Sequence, residues 1–166
     1  MTTGYGTPTT QITVLEAVVK VLRESIPAFQ GENTCFLSMD PEPLHEERQT
    51  LFATVCPMAG RFDEEIAVGS HYANELSGVL ITVWSGMKLD RPGGDKMMMT
   101  ESARGLLSLK RLILKALNGL ELKDKEGNTI VCRPMRPLNA GHPQRRDEEK
   151  GSFSLSFATD FIWDLS

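Results

Sequence analysis

Hydrophobic and polar positions alternate most regularly at the end of the chain, in KGSFSLSFATDFIWDLS (150–166). Phe153, Leu155, Phe157, Thr159, Phe161 and Trp163 take every second place, with Ser154, Ser156, Ala158 and Asp160 between them. A period of two rich in aromatics predicts a half-buried β-strand, and a long one, since strands peak at about five or six residues. Earlier segments show shorter patterns. Ile12, Val14, Leu15, Val18, Val19, Val21 and Leu22 fall on one side of a helix over 11–25, opposite Thr13, Glu16, Lys20, Arg23 and Glu24. Thr10 is its N-cap candidate, and Pro27 and Gly31 end it. TCFLSM (34–39), TLFATVCP (50–57), GVLITVWSG (78–86) and TIVCRPM (129–135) read as strands, and the third is apolar on both faces and therefore central. A Leu-rich helix over 102–118 opens at Thr100 or Ser102 and stops at Asn118-Gly119.

The connections are polar or broken by proline and glycine. DPEPLHEERQ (40–49) is acidic, 58–75 has no clear period, MKLDRPGGDKMMMT (87–100) reads as a mobile loop, and 138–151 is a polar excursion. Residues 1–9, rich in Gly, Thr and Pro, read as a flexible arm ahead of one domain over 10–166. The order α-β-β-β-α-β-β has no βαβ alternation. It predicts an α+β fold with a largely antiparallel sheet of four to five strands packed with two helices.

The helix over 102–118 carries too much apolar surface for one sheet face. At ~100° per residue, Leu106, Leu107, Leu109, Leu112, Ile113, Leu114, Ala116 and Leu117 span roughly 220°, against about 100° for an ordinary surface helix. Leu107, Leu114 and, at the end of the last strand, Trp163 are therefore candidates for a subunit interface. Met97, Met98 and Met99, apolar and adaptable beside Pro92-Gly93-Gly94, are candidates for a docking loop, or equally for the start of the helix that follows.

Composition narrows the function. The chain has 166 residues, 40% hydrophobic and 24% charged, with a formal net charge of −4, so no global basic field collects nucleic acid. No charged and apolar leader opens the sequence, and no apolar run reaches the ~20 residues that span a bilayer, which points to a protein assembled in the cytosol and away from membranes. Three widely spaced cysteines, Cys35, Cys56 and Cys132, form no CxxC pair and lie in strand patterns, where a thiol packs as a small apolar group.

Chemistry-bearing constellations are weak. His45-Glu46-Glu47-Arg48-Gln49 begins like HExxH but lacks the second histidine. GGDKMMMT lacks the spacing of a phosphate-binding loop. Asp63-Glu64-Glu65 lacks the rhythm of a calcium loop. A cysteine paired with His45, His71 or His142 has no helix N-terminus or neighbouring cation to stabilise its thiolate. Arg133-Pro134-Met135-Arg136 has no aromatic interleaving for base stacking, and Arg145-Arg146 is nearly neutralised by Asp147-Glu148-Glu149. No catalytic, metal or cofactor site is expected.

The N-terminal helix TVLEAVVKVLRESIPAF, three strands, a Gly/Pro loop, a Leu-rich helix, a fourth strand and the closing FSLSFATDFIW together resemble the tail terminator (tail completion) proteins of long-tailed bacteriophages and their neck-protein relatives. The resemblance covers roughly 10–164 and rests on element order and the closing strand. The 58–75 and 138–151 segments are longer than in the smallest such proteins. It implies a virion protein of the tail, assembled in host cytoplasm. It also implies a homo-oligomeric ring, usually a hexamer, that caps the tail-tube protein and meets the head-tail connector. DNA passes through the lumen without specific binding. Other neck or tail-tube roles fit the same fold, and a small intracellular enzyme with a cysteine-centred site is the alternative from a different class.

Overall fold

The computed structural model describes residues 10–31, 33–41, 51–63, 69, 71–86, 99, 105–130, 133–145 and 150–165. In chain order these form helix α1 (Thr10–Ser25), a one-turn 3-10 helix (Pro27–Phe29), strands β1 (Cys35–Leu37), β2 (Leu51–Pro57), β3 (Arg61–Phe62) and β4 (Tyr72–Gly86), helix α2 (Leu106–Leu117), and strands β5 (Arg136–Ala140), β6 (Gln144–Arg145) and β7 (Lys150–Asp164). All seven strands join one sheet whose main path is β1-β2-β4-β7-β5, with β3 added to β4 and β6 to β7. β1 runs parallel to β2, and every other pairing is antiparallel. The α+β class expected from the sequence is the class observed.

The last strand is the middle of the sheet. β7 pairs with β4 over its whole length, from Gly86↔Lys150 to Tyr72↔Asp164. At a rise of ~3.4 Å per residue this ribbon is roughly 50 Å long. Its alternation sorts two faces. Val79, Ile81 and Val83 face Phe157, Leu155 and Phe153 across the register, and β2 extends these rows with Ala53 and Val55. All of these are buried, as are Val14, Val18 and Leu22 of α1 and Leu109, Ile113 and Leu117 of α2 in the same cluster. Each fully buried side chain of this size adds about 1.5–3 kcal/mol, so the helices are held by tertiary contact more than by propensity.

The opposite face is polar and aromatic. Thr54 and Thr82 are fully buried, Thr82 Oγ1 and Ser154 Oγ lie 2.9 Å apart, and Phe36, Phe52 and Trp84 stack with centroids 5.9 and 6.2 Å apart. The Trp84 indole N–H and the Thr54 hydroxyl both donate to the Pro41 carbonyl, which ties the chain after β1 down over this face.

Three boundaries differ from the sequence reading. β4 begins at Tyr72, six residues before the expected 78, because YANELS lacks apolar alternation yet pairs with the far end of β7. The strand expected over 129–135 does not form along β7. Arg133 instead donates its N–H to Asp160 Oδ1 at 2.5 Å and accepts the Thr159 hydroxyl at 2.9 Å, so side chains replace the ladder. Pro134, without an N–H, could not have continued it. The fifth strand lies further on, at Arg136–Ala140 inside the expected polar excursion, with an irregularity between Pro137 and Asn139. α2 begins at Leu106 after an extended Gly105, and the expected caps Thr100 and Ser102 lie outside the described residues.

Candidate subunit interface

α2 buries a narrow stripe. Leu106, Leu109, Ile113 and Leu117 are buried at three- and four-residue spacing, which is the seam that meets the sheet. Leu112, Leu114 and Ala116 are only partly covered, and Leu107 is 40% exposed. The wide apolar arc read from the sequence is real, and its outer margin is left open by the chain's own fold. Arg111 and Lys115 share that margin and are exposed. The helix holds three cations, Lys110, Arg111 and Lys115, and no acid.

Trp163 occupies a second place, the far end of the β4–β7 ribbon. There it pairs with Ala73, is half-buried, and donates its indole N–H to Glu75 Oε1 at 3.3 Å. β2 has ended by this point, and two-residue β3 is the added neighbour, pairing Phe62 with Glu75. The ribbon end exposes Phe62 (61%), Tyr72 (56%) and Leu165 (61%). Sequence reading missed these three because each stands alone among polar residues; only the pairing register gathers them. Leu107 and Leu114 on α2 and Trp163 on the ribbon thus mark two surfaces. Of the candidate docking loop, Met99 is half-buried, and Met97 and Met98 lie outside the described residues.

The free edges of the sheet are blunted. β1 is short, and its outward Cys35 carbonyl accepts Arg23 Nε and Nη2 at 2.9 and 2.6 Å. β5 carries Pro137 and an irregularity, devices that discourage strand addition.

Catalytic chemistry finds little support among the described residues. Cys35 and Cys56 are buried, whereas His71 and His142 are exposed. Burial pushes the Cys35 thiol from 9.0 up to about 12, against a smaller opposing pull from Arg23. Burial also raises the Cys56 thiol; a hydrogen bond with Thr54 opposes this, and Asp40 adds to it. A thiolate is the nucleophile, so both shifts work against reactivity. Cys132 and His45 lie outside the described residues. No group of three His, Cys, Asp or Glu among those residues could hold a metal ion. An open groove of about 530 Å³ runs between α1 and β1, but its rim is charged, and Arg23 within it is committed to the Cys35 carbonyl. The basic run at 133–136 is interrupted, because Met135 is buried and Arg133 lies 3.7 Å from the Asp160 carboxylate. No helix among the described residues is long and apolar enough to cross a membrane.

No family model matches the chain, and no curated protein matches it. Among solved structures, it is similar to a chain of the virion of a native gene transfer agent (GTA) particle. The TM-score is 0.60 at 15% identity, and the likeness covers 92% of this chain and 97% of that one. At that identity the likeness is one of fold.

Proposed function

We propose that the chain is a structural protein of a phage-like virion, and within it a tail terminator. Its copies form a hexameric ring that caps the tail-tube protein and presents a surface to the head-tail connector. The observation that carries this reading is the fold match to a virion chain over nearly the full length of both proteins. The terminator role in particular is supported by the element order and the closing strand. The open margin of α2 and the exposed ribbon end supply surface for contacts between copies. The ring assembles in the host cytoplasm and resides in the virion tail, and it performs no catalysis. A net charge of −4 suits a lumen through which DNA slides, because phosphate contacts are what retain nucleic acid.

Light scattering over a wide concentration range tests the reading. A mass several times that of one chain, or one reached on adding tail-tube protein, is the expected result. A protein that stays monomeric in both conditions contradicts it, and a stable oligomer that binds connector but not tube reassigns it to another neck position.

A further inference from the structure

A closed ring needs two different patches on each copy, one meeting the other on the next copy, because a self-complementary patch gives only a two-fold dimer. The described surface offers one apolar patch of each sign. On α2, Leu107, Arg111, Leu114 and Lys115 follow helical spacing along the outer margin, with Leu107 40% exposed and both cations exposed. At the ribbon end, Phe62, Tyr72 and Leu165 are exposed beside Asp63, Glu75 and Asp164. Arg61 is the one Lys or Arg among these ribbon-end residues, so three carboxylates against one guanidinium leave the patch negative however they pair within it. The helix patch, with cations and no acid, is positive.

From this complementarity we infer that the ribbon end of one copy docks on the outer margin of α2 of the next copy, Phe62, Trp163 and Leu165 meeting Leu107 and Leu114 while Asp164 faces Arg111 and Lys115. The assignment rests on the ring reading above and adds to it the surfaces that meet. It accounts for an arrangement the isolated chain leaves unexplained: a stiff two-stranded ribbon carried past the end of β2, tipped with aromatic and aliphatic side chains. The blunted edges of β1 and β5 direct association away from strand addition and toward this side-chain contact. Apolar contact supplies the adhesion, and the opposite charges fix which patch meets which.

The test is a charge exchange between copies of the full chain. R111E/K115E makes the helix patch negative, and D164K/L165K makes the ribbon end positive; circular dichroism confirms that each remains folded. Wild-type protein sediments as an oligomer that loosens as salt rises, through screening. Each variant alone is at least tenfold weaker in association, because like charges now face each other. Mixed in equal amounts they regain the large species, since reversed patches match across alternating copies. If the wild type assembles while either variant assembles as well as it does, or the mixture stays dissociated, the surface assignment is overturned and the ring stands. If wild-type protein is itself monomeric with and without tail-tube protein, the ring reading falls as well.

Discussion

Gly78 sits where β4 changes neighbours, between the last β2 pair at Pro57↔Val79 and the first β3 pair at Arg61↔Leu76, and it lies opposite Ala158 of β7. A Cβ at this position would land on the Phe157 carbonyl oxygen, with the Phe157 carbonyl carbon at 3.1 Å and Met58 Sδ at 3.2 Å. The obstacle is backbone in the longest ladder of the sheet, so Gly78→Ala forces β4 and β7 apart. Overpacking of this kind costs about 1–3 kcal/mol, and one or two distorted ladder hydrogen bonds add about 1 kcal/mol each. Restricting the unfolded chain returns about 0.4–1 kcal/mol. The net loss is about 2–4 kcal/mol, or a melting temperature lowered by roughly 5–15 °C for a domain of this size. Gly141→Ala is the control: its Cβ meets Ser154 at 3.5 and 3.6 Å, ordinary contact, and stability should stay within about 0.5 kcal/mol of wild type. Both are measured by thermal and urea unfolding at one protein concentration, because association shifts apparent stability. A Gly78→Ala protein as stable as wild type would show that the two long strands are not held in this register.

Asp160 is buried and accepts the Arg133 N–H. Asp160→Ala therefore costs about 1–3 kcal/mol in urea unfolding by stranding that donor, and Asp160→Asn, which keeps an acceptor, costs less. The Cys35 thiol holds its proton in the folded chain up to about 12 and releases it near 9.0 when unfolded. Its contribution to stability is therefore complete below pH 9 and lost between 9 and 12, at about 1.4 kcal/mol per pH unit. Denaturation titrations of wild type and Cys35→Ala over this range should differ by that slope, and parallel curves would contradict the burial of the thiol. Leu107→Glu, on the exposed margin of α2, should leave subunit unfolding within about 0.5 kcal/mol of wild type while reducing assembly in light scattering; unchanged assembly would clear Leu107 of an interface role.

Elements whose period is set by burial were readable in the sequence. α1, β2 and β7 appear within a residue or two of their expected bounds, because each lays one clear apolar face on the core. The same rule explains the misses. β5 is exposed at all five positions, so RPLNA carries no alternation, and its place is fixed by β7 alone. The first residues of β4 are half-buried or exposed on both faces and are strand because their partner is. TIVCRPM has the composition of a strand, but Thr159 and Asp160 take its backbone groups with their side chains. The candidate interface was half legible. A leucine arc too wide for one sheet shows within a single helix, whereas the Phe62–Tyr72–Leu165 tip is assembled from three separate segments and needs the register to be seen.

Electron microscopy of the purified protein, alone and with tail-tube protein, tests the central claim most directly. The account predicts closed rings of uniform diameter whose class averages show six-fold rotational symmetry, seated on tube ends when tube is present. Particles the size of a single chain in both samples would contradict it.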